Sequence, residues 1–371
     1  MKAFWRSYCS NPWLIAVTFG LPLVLSLIIW WVFSASVVRD LPIDVVDLDQ
    51  SSLSRMITRD YDATPTLAVR SIQPNTLIAN QALKNGDNYG YIVIPRDFER
   101  DVLLGKSPQV SGFYNGQFIL IAKQISSALM QTDMTTQAKL AAVKTLSTKT
   151  STWTHAINSA VPIKVQVTPL FNLGSSYNQF LVSAILPAIW QMAIIVGMIW
   201  AMKNEMVRSN KNSIREWFDS QTLSSIAQFI CVYFIVGMSL GAVLFYFLYG
   251  ILQFPFDAQI ISFLVTMSAM TLASISLGTV IGYGTNDIVK AMSISGAYTA
   301  PSFAFLGVTF PVTDMNGLAT FWHSILPASH FVRSQIEQAN YGYVFNQTLS
   351  HVGILLLFTL PLLLLISRLR K

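Results

Sequence analysis

His323, His330 and Glu337 recur at intervals of seven residues, a spacing that puts them on one face of a helix and suits a metal ion or an acid–base pair. Asp314, Ser324 and His330 supply the residue types of a nucleophilic triad. Gly105-Lys106-Ser107 looks like the end of a phosphate-binding loop. None of these sets is complete. Pro327 interrupts the helix that the first one needs, because proline lacks an N–H and crowds the preceding turn, and no fourth ligand is near. A triad of this kind can be drawn in any polar stretch of about 40 residues, so types without geometry carry little. The phosphate loop needs glycine at position 100, where Arg100 stands, and a helix next, where Pro108 stands. No other stretch carries a phosphate-binding loop or a dinucleotide fingerprint. The sequence therefore predicts no catalytic residue, no metal site and no cofactor bound by this chain.

A different chemistry, contact rather than catalysis, is offered by residues 202–222. They hold Lys203, Arg208, Lys211 and Arg215, the acids Glu205, Glu216 and Asp219, and the pair Trp217-Phe218, between two long apolar runs. Asn212 or Ser213 can cap a short helix through Trp217-Phe218, accepting its first free N–H groups. Arg208, Lys211 and Arg215 then offer charged contacts to another chain, beside Glu205 and Trp217. A solvated loop whose positive charges only set topology is the plainer alternative. Weak polar groups also lie inside the apolar runs: Tyr177, Asn178, Gln179, Gln191, Ser293, Ser295 and Tyr298. They read either as hydrogen bonds between helices or, with Trp190, Met192, Met198 and Met292, as a lateral cleft for an amphiphilic cargo.

The elements that must position these residues follow from composition. Of 371 residues, 53% are hydrophobic and 11% charged, against roughly 25% charged in an average soluble domain. That points to a membrane protein. The net charge of +6 is spread out with no compact Lys/Arg run, which argues against nucleic acid as a partner. Cys9 and Cys231 lie far apart and read as buried apolar residues, with neither a disulfide nor a zinc site. Residues 1–12, with Phe4, Trp5 and Tyr8 among Lys2 and Arg6, suit an interfacial helix. Six apolar spans are expected at 13–33, 177–201, 223–250, 260–283, 288–308 and 348–367. Ser34-Ala35-Ser36 imitates a signal-peptidase site. The preceding run is longer than the usual 7 to 15 residues, so an uncleaved anchor is expected. Lys2, Arg6, Lys203, Arg208, Lys211, Arg215, Lys290, Arg368, Arg370 and Lys371 fall on one side of these spans, and Arg333 alone in the short loops of the other. Positive charge marks the cytoplasm, so both termini, 202–222 and the tail 368–371 are placed inside.

Residues 34–176 read as an α/β domain on the far side. Strands are expected at 42–48, 66–72, 89–94 and 109–114. Helices are expected at 51–61 (capped by Asp49 or Ser51), at 74–84 with Pro74 in its first turn, at 97–104, and as one or two long pieces over 116–159. A last strand is expected at 163–168. The fold class is thus an α-helical polytopic membrane protein of six transmembrane helices with an inserted α/β extracytoplasmic domain. Residues 309–347 are expected as a longer, semi-polar segment of short helices dipping into the membrane.

In this order the pieces resemble the membrane subunits of type-2 ABC (ABC-2) exporters, in the branch with a large external domain after the first span. The resemblance is carried by Asn11-Pro12-Trp13-Leu14 leading to Leu21-Pro22, by Leu41-Pro42-Ile43-Asp44-Val45-Val46-Asp47-Leu48-Asp49-Gln50-Ser51, by Tyr91-Ile92-Val93-Ile94-Pro95-Arg96-Asp97-Phe98, and by Phe305-Leu306-Gly307-Val308-Thr309-Phe310-Pro311 with Leu326-Pro327-Ala328-Ser329-His330-Phe331-Val332-Arg333. It implies a permease half paired with a second half, identical or a paralogue, and driven by two separate ABC ATPase subunits that carry ATP and Mg. It implies a periplasmic adaptor, a bacterial inner-membrane setting, and a re-entrant segment at 309–347 that guards the outer exit, with Pro311, Pro327, His330 and Arg333 as candidates for the gate. Glu205 matches the family's acidic position after the second span. Arg208-Ser209-Asn210 stands where family members often carry Gly-Thr or a similar small pair. Two other readings compete: a membrane enzyme using residues 314–337, and a scaffold or mechanical transmitter through which no cargo passes.

Overall fold

The structure, a computed structural model, describes residues 1–34, 39–104, 108–117, 119–148, 171–172, 176–285 and 287–368. The chain divides into two compact units, one of Met1–Ser36 with Pro169–Lys371 and one of Val37–Thr168.

The first unit opens with helix α1 (Lys2–Cys9). Asn11 ends the turn that follows by accepting from the Leu14 N–H at 3.2 Å, and Pro12 sits where its missing N–H costs nothing. Helix α2 then runs over Pro12–Phe33, 22 residues, roughly 33 Å of rise. Cys9 is exposed, not buried as its sequence setting led us to expect, and Cys231 is half-buried.

The second unit is built on a four-stranded sheet of order β2-β1-β3-β4. In chain order it comprises β1 (Leu41–Asp47), α3 (Ser52–Asp62), β2 (Leu67–Gln73), α4 (Thr76–Asn85), β3 (Gly90–Ile94), α5 (Phe98–Leu103), β4 (Ser111–Tyr114) and α6 (Ile119–Thr148). β1 pairs parallel with β2 and β3, and β4 runs antiparallel to β3. The period of two in β1 divides its side chains. Leu41, Ile43 and Val45 pack with Ile57 and Tyr61 of α3, Phe98 of α5 and Ile125 of α6, whereas Val46 packs with Ala79 of α4. Asp44 is fully buried, and its carboxylate accepts from Ser71 Oγ and Asn88 Nδ2, both at 2.7 Å.

The caps separate the roles that the sequence left open. Ser51 caps α3 at Ser54 N, 3.0 Å. Asp49 instead reaches across to cap α5, accepting from Phe98 N at 2.9 Å and Glu99 N at 3.1 Å. Asn75 caps α4, which begins at Thr76, so Pro74 lies just before the helix and not in its first turn. Burial pulls Asp49 upward, but the Ser51 hydroxyl and the N–H groups of α5 outweigh it and hold its carboxyl below the ordinary range. A carboxyl so depressed stabilises above its unfolded value, about 3.9, and the gain is lost as pH falls through the folded value. Asp49→Ala is expected to loosen α5 by about 1 kcal/mol. Amide exchange at Phe98 and Glu99 should then be several-fold faster at pH 7, and the difference from the native protein should shrink below pH about 3.9. The expected strand at 163–168 and the end of the long helix beyond residue 148 lie outside the described residues.

The chain re-enters the first unit with α7 (Asn178–Arg208), α8 (Ile214–Asp219), α9 (Leu223–Ile251), α10 (Ile260–Thr285), α11 (Ile288–Thr299), α12 (Ser302–Phe305), α13 (Gly317–Ile325), α14 (Pro327–Ala339) and α15 (Phe345–Arg368). Among the described residues five helices, α2, α7, α9, α10 and α15, are long and apolar enough to cross a membrane.

Two expectations change. α7 does not stop at residue 201 but continues to Arg208, because Met202 to Arg208 are all compatible with a helix and Met202 and Met206, one turn apart, are buried. The first third of the predicted polar loop is therefore helix. The stretch 288–308 is not one helix either. Pro301 interrupts it, and Gly307 at φ 82° ends it in the left-handed region. α7 is the most enclosed of the long helices, with 67% of its most apolar stretch buried, against 17% for α2 and α15. Those two therefore leave apolar side chains such as Leu21, Val24, Leu363 and Leu364 exposed.

Candidate functional site

At the α7–α9 turn the chain builds a compact polar and aromatic junction. Glu205 is 7% exposed. Its Oε1 accepts from Ser7 Oγ of α1 and from Arg208 Nη1 at 3.2 Å. Asn204 Nδ2 donates to the same Ser7 hydroxyl at 3.0 Å, and Asn204 Oδ1 accepts from Asn11 Nδ2 at 3.0 Å. Rings continue the connection. Phe4 meets Phe229 at 5.3 Å and Tyr8 meets Tyr233 at 5.9 Å, so α1 is seated on both α7 and α9.

α8 is a six-residue helix. Ser213 Oγ caps it at Glu216 N, 3.0 Å, and Glu216 reaches back to Asn212 N at 3.0 Å and Lys211 Nζ at 3.3 Å. Those two donors hold the exposed Glu216 carboxyl below its ordinary range. Such reciprocal bonding is close to a capping box, and Ser213-Ile214-Arg215-Glu216 was the signal in the sequence that would have revealed it. The opposite face of α8 is buried: Trp217 lies 5.1 Å from Phe229 of α9, and Phe218 lies 5.5 Å from Tyr283 of α10, measured between ring centroids. Arg215 is exposed, with its guanidinium 5.1 Å from the Tyr283 ring centroid. The five residues picked from sequence thus separate. Arg208, Lys211 and Arg215 lie at the surface or near it, whereas Trp217 and Glu205 are buried and hold α8 and α1 in place. Ser7, Asn11 and Asn204 were missed, because nothing local ties the first helix to a residue nearly two hundred positions away.

Two of the other polar candidates, Gln191 and Tyr298, meet at the start of α14. Gln191 Oε1 of α7 accepts from Ala328 N at 2.6 Å, and the Tyr298 hydroxyl of α11 donates to the Ile325 carbonyl. These two clamp the Leu326-Pro327 joint between α13 and α14 from both sides. Gln335 donates to Ser183 O at 3.2 Å and Tyr249 OH at 2.9 Å. Gln338 accepts from Ser262 Oγ at 3.0 Å and donates to Thr266 Oγ1 at 2.9 Å. Gln335 and Gln338 were not among the residues singled out in the sequence. Three residues apart on one face of an amphipathic helix, they carried the signal. Asn178 is buried, Gln179 bonds the Phe171 carbonyl at 2.7 Å, and Ser295 bonds its own helix at 2.9 Å, so these three do not join Gln191 and Tyr298.

The histidines do not assemble a catalytic centre among the described residues. His330 Nε2 bonds the Ser324 carbonyl at 3.0 Å, while the Ser324 hydroxyl donates to Thr320 O at 2.6 Å, so no base addresses that hydroxyl. His323 Nδ1 donates to the Phe305 carbonyl at 2.7 Å. Burial, with His323 and His351 nearby, holds His330 below the ordinary histidine range. Glu337 is held by Arg333 Nε at 3.2 Å and by His351 Nε2 at 3.2 Å. No three metal-ligating side chains converge among the described residues. Pro327 opens α14, and Pro311 precedes the turn Val312–Asp314.

A family model described as "ABC-2 family transporter protein" matches residues 12–368. No curated protein and no solved structure matches the chain.

Proposed function

The chain belongs to the ABC-2 transporter family, and from that premise we propose that it is the membrane-spanning half of an ATP-driven exporter that moves a hydrophobic or amphiphilic substrate, a drug, lipid or similar, out of the cytoplasm or inner membrane. Membership makes the chain a transporter's membrane component and implies ABC ATPase subunits as partners. ATP and Mg belong to those subunits. A second permease half, identical or a paralogue, completes the path. In this reading the termini and residues 209–222 face the cytoplasm, and residues 34–176 lie in the periplasm, where an adaptor meets them. α11 and α12 together form a sixth, broken crossing. Residues 309–347 dip back from the outer side, with Pro311, Pro327, His330 and Arg333 at the gate.

The observation that carries the proposal is the double character of α8. Its aromatic face is locked to α9 and α10, while Arg215 and its neighbours Arg208 and Lys211 stand outward. A helix so mounted moves two long helices whenever something moves it. The ATPase contact would supply that motion, and the charged face would grip it.

The test is the pair Lys211→Glu and Arg215→Glu in the purified complex with its ATPase subunits. Export is expected to fall at least about tenfold, the ratio corresponding to about 1.4 kcal/mol of lost coupling, while the complex stays assembled. Export and substrate-stimulated ATP hydrolysis both at native rates would remove α8 from the coupling role.

A further inference from the structure

A cavity of ≈ 290 Å³ lies among the turn at residues 306–313, α13 and α14. It is near the lower bound of ligand pockets, about 300 Å³. Taking a methylene as about the 30 Å³ of a water, it holds a chain of roughly ten carbons. Its walls are mostly apolar: Leu306, Val308, Pro311, Val312, Val332 and Ile336. Five polar side chains interrupt them, Thr313, His323, Arg333, Glu337 and Tyr341, of which Arg333, Glu337 and His323 set the charge and hydrogen bonding of the site.

Arg333 is one of the lining residues, with its side chain 58% exposed. Its Nε donates to Glu337 Oε1 at 3.2 Å, and its two terminal nitrogens have no partner among the described residues. Glu337 also lines the cavity, but its second oxygen is taken by His351 at 3.2 Å. The carboxylate is therefore fully engaged and fixes the guanidinium without covering its fork. His323, 8% exposed, is the third. With Nδ1–H given to Phe305 O, its Nε2 in the neutral ring is an acceptor with no partner among the described residues. An apolar chamber with an unfilled guanidinium fork at its edge matches a molecule that is greasy at one end and anionic at the other, because Arg binds planar or tetrahedral oxyanions through two parallel N–H bonds.

We propose that this cavity binds an amphiphile bearing one carboxylate or phosphate headgroup, its tail between Val308, Val312 and Val332 and its anion on Arg333. The assignment of that occupant to exported cargo rests on the export reading; the chemistry of the pocket does not. The same headgroup could arrive on a bilayer lipid, and the experiment separates the two.

The intact complex in phosphatidylcholine nanodiscs is exposed, without ATP, to a diazirine-bearing dodecyl phosphate, and cross-linked peptides are mapped. Label is expected on residues 306–313 and 332–341. Replacing the phosphate by a neutral alcohol, or Arg333 by Gln, should reduce it at least tenfold. Inorganic phosphate should not compete, because half of the recognition is apolar. Competition by equal amounts of phosphatidylglycerol in the disc assigns the site to lipid. Competition only by unlabelled dodecyl phosphate assigns it to cargo. Label that ignores the headgroup charge and Arg333→Gln, or that scatters over α2 and α15, overturns the proposal. Because binding is read without ATP, failure of the coupling test at α8 leaves this result standing, and the reverse also holds.

Discussion

Glu205→Ala is expected to lower export at least about tenfold in the assembled complex, with ATP hydrolysis continuing, and Glu205→Gln is expected to keep most of the activity. The carboxylate is the one acceptor shared by Ser7 of α1 and Arg208 at the end of α7. A hydrogen bond to a charged group contributes about 1.5–3 kcal/mol, and about 1.4 kcal/mol is a tenfold change. Alanine removes both bonds and loosens α1 on α7, leaving the Asn204 bonds to Ser7 and Asn11. Glutamine keeps an amide oxygen in the same place and loses only the charge, half of which serves an Arg208 that is already 49% exposed and so weakly paired. Ser7→Ala breaks the same bond from the other side. If the bond is what matters, Ser7→Ala with Glu205→Ala exports no less than Glu205→Ala alone. Additive losses would show that the two residues act separately and that Glu205 works through some other contact.

This shifts the weight of the acidic position. Read in sequence, Glu205 stood in a polar loop and was a candidate for direct contact with an ATPase. In the structure it is enclosed by α1 and positions the helix that lies against α9. A force applied at α8 reaches Phe229 through Trp217, and Phe229 touches Phe4 of α1. On the proposed coupling, Arg208, Lys211 and Arg215 are the charged residues that a partner would touch, and Trp217, Phe218 and Phe229 are those that would carry the motion inward. In that reading contact falls to the end of α7, the turn after it and the outward face of α8, and transmission to the buried face of α8 and its partner on α9.

How much of this was legible depends on whether the signal is local. Alternation in Leu41-Pro42-Ile43-Asp44-Val45-Val46 announced a strand with two different faces, and the structure gives each face its own helices. Five of the six expected spans coincide with helices long and apolar enough to cross a membrane, a length that lipid thickness sets. Hydropathy marks where lipid ends, however, not where a helix ends, so the last two turns of α7 were read as loop. Pro301 was visible but its effect was not, since proline inside an apolar run is tolerated in membrane helices when neighbours absorb it. The Glu205–Ser7 bond joins residues 198 apart, and the clamp on the Leu326-Pro327 joint draws on α7 and α11. Such contacts follow from which helices become neighbours, and residue types along one chain do not specify that.

Glycines decide those neighbours, and they give the second large effect. Gly278→Ala is expected to destabilise the protein by about 1–3 kcal/mol, and Gly278→Val by more. A Cβ at position 278 of α10 would stand 2.8 Å from the Ile195 carbonyl oxygen and 2.8 Å from Met198 Cβ of α7. One obstacle is backbone and cannot rotate away, so the two helices would have to part. Their close approach is what small residues provide in membranes, where apolar side chains gain nothing by leaving lipid. Gly296→Ala in α11 is the control. A Cβ there meets nothing within 4 Å, and alanine is the better helix former by about 1 kcal/mol, so this variant should melt at the native temperature or above. The same chemical change in two helices of one protein is therefore expected to have opposite signs in thermal unfolding of the purified chain. If both variants melt alike, α7 and α10 can separate without loss, and the pair is not the rigid body against which α8 and α9 would move. If only Gly278→Ala fails, that pair is the fixed frame of the transporter, and the motion delivered through Trp217 has something to work against.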